Sequence, residues 1–291
     1  MADKKGRPRF AVMFPDDLQE YIAEHREGSY QLVDVRQPEE YEGFHLPGAR
    51  LIPLPLLAET MKQLDRNSDT IVYCSVGGRS MMAAQFMAVR GFGRVFHLQG
   101  GIEAWEQGTA ASLPELHLRF IRGDESAIEA ASIAYRFETG LEQFYRRALE
   151  QSTIVEVRDL LEKLASAEES HKKSLVRLLD SLGPGPGASK PADSLSQLDP
   201  AEKNDWIIEG GLDADDFLAR SDNYFNSARN CLELAIMIEV HGLDLYLRMA
   251  NTCLDAAAKE LLYRLSEEEK THLNSLADLS AKIGRKQVGQ D

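Results

Sequence analysis

Cysteine, long apolar runs and positive charge are all scarce in this chain, and each scarcity excludes something. Three cysteines in 291 residues cannot form a disulfide framework, and their odd number points to a reducing, cytoplasmic setting. No run of about 18 apolar residues occurs, which argues against a membrane-spanning helix. No apolar core follows the charged opening Met1-Ala-Asp-Lys-Lys-Gly-Arg-Pro-Arg, so no secretory signal is expected. Lys and Arg number 33 against 47 Asp and Glu, and 11 of the 14 excess negative charges lie beyond residue 110. Such acidity disfavours nucleic acid and anionic membranes as partners.

The length suggests two domains. Residues 1–110 alternate β-rich runs (Gln31-Leu-Val-Asp-Val, Thr70-Ile-Val-Tyr-Cys, Arg94-Val-Phe-His-Leu) with helical stretches near 15–25, 55–64 and 80–90. That alternation predicts a parallel α/β sheet covered on both faces. After a linker at 111–125, residues 126–282 read as four long helices near 126–151, 153–181, 222–251 and 254–282. The connection at about 182–221 opens with Gly183-Pro-Gly-Pro-Gly. It is too long for antiparallel neighbours and suits a crossover that leaves the second and third helices parallel. Trp206, Ile207, Ile208 and Phe217 suggest that part of it packs down, with one short helix. Bundles of this connectivity readily pair, so a homodimer is expected.

The helical half repeats itself. Glu138, Tyr145, Glu168 and His171 recur as Glu239, Tyr246, Glu269 and His272, always 101 positions later. Both copies contain Glu-x-x-His. Two lone glutamates plus two Glu-x-x-His pairs are the ligand inventory of carboxylate-bridged di-iron bundles. Glu138 and Glu168 are 30 positions apart, so a turn near Thr153 leaves each about 15 residues from it, roughly 22 Å along its helix. Antiparallel helices then bring both carboxylates to one height. Thr153-Ile-Val-Glu156 reads as a capping box at that turn, and Thr252-Cys-Leu-Asp255 as a weaker cap in the second copy. Within each pair, i and i+3 side chains share a face, so His can reach the ion that its Glu binds. Glu239 keeps the register of Leu232, Ala235, Ile236, Leu243 and Tyr246, which places it on the buried face. A buried carboxylate must be paired or bound to metal. Oxygen donors with imidazole suit iron, with manganese as an alternative. Glu142 can reach this site or face water, His241 points elsewhere, and Cys231 and Cys253 read as apolar fillers.

Cys74 ends a β-rich run and opens Cys74-Ser75-Val76-Gly77-Gly78-Arg79, with a helix from Ser80. A loop entering a helix N-terminus turns N–H groups inward and cradles an anion. Two glycines permit the curl, and Arg79 adds fixed positive charge. A thiolate held there has a lowered pKa and is a competent nucleophile.

Residues 10–108 resemble single-domain rhodaneses. The matching stretches are Val33-Asp34-Val35-Arg36, Pro38-Glu39-Glu40-Tyr41, His45-Leu46-Pro47-Gly48-Ala49, Cys-x-x-Gly-x-Arg at 74–79, and Gly100-Gly101-Ile102 with Ala104-Trp105. The resemblance implies a sulfurtransferase. Cys74 takes a sulfane sulfur from thiosulfate or a similar donor, holds it as a persulfide, and passes it to a thiol or cyanide. The N–H groups of 75–79 (Ser75, Val76, Gly77, Gly78 and Arg79) then hold the persulfide, and Arg79 with Arg36 attracts the donor; Asp34 and His45 are structural. Residues 126–282 resemble the rubrerythrin and ferritin-like family. That implies a ferritin-like four-helix bundle with a di-iron site held by Glu138, Glu168, His171, Glu239, Glu269 and His272, Glu168 and Glu269 bridging. Two other readings stay open: a di-iron oxidoreductase reducing peroxide, and an iron-binding, sulfur-sensing protein without turnover.

Overall fold

In the first half, the strands alternate apolar side chains toward two separate cores. Val33 and Val72 join Val35, Ala83, Ala84 and Met87 on one face. Leu32, Ile71 and Tyr73 join Leu18, Tyr41 and Leu98 on the other. Strands buried on both sides in this way belong in a parallel sheet with helices on each face.

The computed structural model describes residues 10–105, 123–181, 207–208, 212–213, 218–219 and 222–288. They belong to two compact units, Met1–Leu113 and Pro114–Asp291. The first unit runs β1 (Ala11–Met13), α1 (Pro15–Glu24), β2 (Tyr30–Asp34), α2 (Pro38–Gly43), β3 (Arg50–Leu51), α3 (Leu57–Thr60), β4 (Asp69–Tyr73), α4 (Gly78–Val89) and β5 (Val95–Leu98). The sheet order is β1-β5-β4-β2-β3, and every pairing is parallel. The three expected strands form its middle, whereas β1 and β3 are short edge additions that show no clear periodicity of their own. Cys74 directly follows β4, so it sits at the carboxyl end of the central strand, where open parallel sheets place their ligands.

The second unit is helical: α5 (Ala127–Gln151), α6 (Val155–Ser181), α7 (Ala228–Thr252) and α8 (Ala256–Val288). Helix α5 packs along α6, α7 packs along α8, and the two pairs also touch. Ser126 caps α5 with the reciprocal Glu129 contact, and the Asp255 carboxylate accepts from the Ala258 N–H at 2.7 Å to start α8. Helix α6 starts at Val155, one residue later than the Thr153 box predicted. At that turn the Ser152 hydroxyl accepts the Ile154 N–H at 3.4 Å. Of the connection, Ile207–Ile208 and Leu212–Asp213 pair as two short antiparallel strands, β6 and β7, and Leu218 and Ala219 are helical. Ile208 and Leu218 are buried against α5 and α6 residues, while Trp206 and Phe217 lie outside the described residues.

Two apolar clusters stack along the helices. One takes Leu141 to Ala148 of α5, Val157 to Ala165 of α6, Cys231 to Ile238 of α7 and Leu276 of α8. The other takes Ala130 to Phe137 of α5, Leu175 of α6, Leu245 to Ala250 of α7 and Ala258 to Leu265 of α8. Reading each helix from first cluster to second shows that α6 and α7 run the same way, as the long crossover requires. Glu138, Glu168, Glu239 and Glu269 each fall between the clusters, in one layer. Among the described residues no helix is long and apolar enough to cross a membrane.

Candidate functional site

At the end of β4, the Gly77 N–H donates to Cys74 Sγ at 3.1 Å. Gly77 makes this possible by adopting φ +104 as the N-cap of α4, a conformation that favours glycine. The thiol is buried. Burial alone pushes its pKa up, but hydrogen bonds from the Ser80 hydroxyl and from the N–H groups of Ser80, Gly77 and Arg79 outweigh that and hold it below the ordinary thiol value. The cradle expected over 75–79 is therefore supplied at the resting sulfur by Gly77, Arg79 and Ser80. Val76 instead stands at the loop surface, 63% exposed, and Gly78 opens the helix.

The loop is clamped from behind. The Ile102 N–H donates to the Cys74 carbonyl at 2.8 Å and the Glu103 N–H to the Ser75 carbonyl at 3.1 Å. Gly101 lies so close that a Cβ there would fall 2.2 Å from the Cys74 oxygen, which is the physical content of the Gly100-Gly101-Ile102 motif. The Ser80 hydroxyl lies 2.9 Å from His97 Nδ1, and burial holds that imidazole below its usual pKa.

Arg79 is not a free cation. Its guanidinium donates to both Glu40 oxygens, at 2.7 and 2.6 Å, and to the Ser75 hydroxyl at 2.9 Å. The pairing lowers Glu40 to about 2. Glu40 was visible in the sequence only as part of Pro-Glu-Glu-Tyr. Arg36 requires a correction: it is buried, forks onto the Asp34 carboxylate at 2.6–3.0 Å and donates to the Phe44 carbonyl at 2.6 Å. Its charge is bound within the fold rather than offered to a donor, because an unpaired buried guanidinium would be prohibitively costly. His45 stacks on Tyr41 and is buried.

Of the three thiols, Cys74 alone is activated. Burial pushes Cys231 up to about 12 and also raises Cys253. A limiting alkylating agent near neutral pH should label Cys74. Ser80→Ala should move the pH at which that labelling is half-maximal upward, since the hydroxyl that favours the thiolate is gone. A profile of labelling rate against pH that stays put would show that Ser80 does not tune the sulfur.

In the helical unit the six repeated residues come together. Ligand-type atoms of Glu138, Glu168 and His171 lie within 4.8 Å of one another, as do those of Glu168, Glu239 and His272, and those of His171, Glu269 and His272. All four carboxylates are at most 2% exposed. His171 Nδ1 lies 3.2 Å from Glu138 and 3.4 Å from Glu168, and His272 Nδ1 lies 3.2 Å from Glu239 without hydrogen-bond alignment. Neither oxygen of Glu168 receives a hydrogen bond. Burial and the charges of Glu239 and Glu138 push its pKa well above the carboxyl range. Burial pulls His171 down, yet Glu138 and Glu168 raise it to about 12. Four buried acids with two imidazoles among them are residues that could hold a cation. The Tyr246 hydroxyl donates to Glu138 at 2.9 Å, which fixes the orientation of that carboxylate.

Glu142 is neither on the surface nor in this set. It is buried and accepts from Arg146 at 2.6 Å and from Lys172. His241 bonds to the Met237 carbonyl of its own turn.

The rhodanese-like domain family matches residues 17–108. A sulfurtransferase of Allochromatium vinosum is 38% identical over 74 residues, 25% of this chain and 69% of that protein. The rhodanese-like/PpiC domain-containing protein 12, chloroplastic, of Arabidopsis thaliana is 39% identical over 88 residues; the chain spans only 29% of its length. A crystal structure of a rhodanese-like domain protein from Staphylococcus aureus, 25% identical, is matched over its full length by 36% of this chain, with a TM-score of 0.33. By its first unit, the chain belongs to the rhodanese-like family.

Proposed function

We propose that this chain is a sulfurtransferase working through a Cys74 persulfide, joined to a ferritin-like helical unit that binds two iron ions. The observation that carries the first part is the activated thiol at the mouth of the α4 N-terminus, 3.1 Å from the Gly77 N–H. The sulfurtransferase of Allochromatium vinosum supports the same chemistry. The Cys74 thiolate attacks the outer sulfur of a donor, and the donor's sulfur bond breaks with its electron pair on the leaving group. The cradle then holds a persulfide anion. A thiolate or cyanide acceptor attacks the outer sulfur, and Cys74 leaves as the thiolate it began as. No net oxidation occurs, so neither sulfur-transfer step needs an outside electron source.

For the second part, the donor-poor buried carboxylate layer is the supporting observation. Glu138, Glu168, His171, Glu239, Glu269 and His272 fit a paired-ion site: four carboxylates, two imidazoles, and Glu168 shared between two of the ligand groups. Iron is favoured, with manganese the alternative. When bound, such a pair supplies redox chemistry toward dioxygen or peroxide. The chain itself contributes a dry, preorganised acid layer and the Tyr246 hydroxyl that holds Glu138 in place.

Both parts are tested on the intact chain. Protein purified without chelator should carry about two iron ions per chain. Incubation with a sulfane donor should add one sulfur atom to Cys74 by mass spectrometry, and cyanide should release it as thiocyanate. Metal content near zero after reconstitution with ferrous iron would end the second part; an uncharged Cys74 would end the first.

A further inference from the structure

Beside the Cys74 loop lies an imidazole that the sulfur-transfer steps leave unused. Strand β5 pairs with β4 so that His97 stands opposite Val72, two positions before Cys74 and on the same face of the sheet. The ring is buried and abuts the cradle: a Cβ on Gly77 would fall 3.1 Å from its Cε1. Its Nδ1 lies 2.9 Å from the Ser80 hydroxyl, the side-chain group that bonds to Cys74. Burial favours the neutral ring, which carries one proton on one of its two nitrogens.

The Ser80 hydroxyl has one proton and three acceptors within reach. It donates to the Gly77 carbonyl at 3.1 Å, but that oxygen also receives the Met81 N–H at 3.0 Å and loses little when Ser80 turns away. The other two acceptors are Cys74 Sγ and, in one tautomer, His97 Nδ1. A ring protonated at Nε2 presents a lone pair at Nδ1, which draws the hydroxyl proton away from the sulfur. A ring protonated at Nδ1 donates to the Ser80 oxygen and turns the O–H toward Cys74. Once the sulfur is anionic, it is the stronger acceptor. The Ser80 oxygen then faces His97 with its lone pairs, and only an N–H at Nδ1 satisfies them. The Gln99 side chain also bonds to the imidazole; an amide both donates and accepts, so it suits either tautomer.

We propose that His97 is a positioning residue for the Cys74 chemistry: its Nδ1–H donates to Ser80 and so directs the Ser80 hydroxyl onto the anionic sulfur. This role rests on the reading of Cys74 as the sulfur carrier. His97 itself touches neither sulfur nor substrate and keeps its proton throughout.

Two variants of similar size separate the donor from the bulk. His97→Asn sets an amide on the carbon that carries Nδ1, so an N–H still faces Ser80, whereas His97→Leu sets a methyl group there. The rate of Cys74 labelling by iodoacetamide, followed against pH, reads the thiolate. His97→Leu should slow labelling near neutral pH by about 3–10-fold, the usual weight of one hydrogen bond, and raise the half-maximal pH. His97→Asn should recover most of that rate. Added to Ser80→Ala, His97→Leu should change nothing more, because His97 acts through that hydroxyl. Arg79, also within hydrogen-bonding reach of the sulfur, is the same in every variant. In the unmodified chain, with Cys74 ionised, ring-nitrogen NMR shifts should show the Nδ1–H tautomer for the signal that His97→Asn removes. An Nε2–H tautomer overturns the proposal, as do equal labelling rates in the Asn and Leu variants or a full His97→Leu effect in the Ser80→Ala background. Failure of the unmodified chain to take sulfur onto Cys74 removes the sulfur-transfer reading instead, an outcome that the labelling rates do not depend on.

Discussion

Replacing Cys74 by serine is expected to lower sulfur transfer by roughly 10³-fold or more, because loss of a nucleophile leaves only substrate binding. The hydroxyl would sit in the same cradle, yet its own pKa is far too high for the loop N–H groups to ionise it near neutral pH. The fold should survive, since the Gly77 N–H that donates to Cys74 Sγ at 3.1 Å can donate to a hydroxyl as well, and serine is smaller. The unfolding midpoint therefore serves as the control. Cys231 and Cys253, whose thiols burial raises, cannot substitute for it. Transfer persisting in the Cys74→Ser chain would move the chemistry elsewhere.

Glu168→Leu should have opposite effects on two measurable quantities. Metal content should fall from about two ions per chain to below about one, because Glu168 belongs to two of the three ligand groups. The metal-free protein should become more stable, by about 1–3 kcal/mol, as happens when a poorly compensated buried charge gives way to a hydrocarbon of similar volume. The sign of the pH dependence follows from the raised pKa of Glu168. An acid whose folded-state pKa lies above its unfolded value binds more protons when folded, so its cost is absent in acid and grows as pH rises above the unfolded value. The gain from leucine should therefore be larger near neutral pH than in mild acid. Unfolding of metal-stripped protein in denaturant at both pH values checks this. A leucine variant that is less stable without metal would mean that Glu168 is a structural residue rather than a ligand.

Much of this architecture was legible in local pattern. The alternation of β-rich and helical runs is a property of neighbouring residues, and so is the apolar stripe that carries Glu239. The offset of 101 between the two Glu-x-x-His copies needs nothing beyond the chain order, yet with helical rise it places four carboxylates at one level. Other features lie between residues too far apart for any pattern to join. Arg79 meets Glu40 across 39 positions, an ion pair that no local pattern announces. Glu142 meets Lys172 across 30 positions, which takes it out of both the solvent and the ligand set. Arg36 reads as a candidate for donor binding until the fold turns it onto Asp34.

What the order of residues determined by itself was which side chains share a face and at what height, because rise and twist per residue are constants of the backbone. What only the tertiary structure decided was which charges remain available. A charge keeps its field only when no opposite charge lies within hydrogen-bonding distance, and that distance is set by packing between segments remote in the chain.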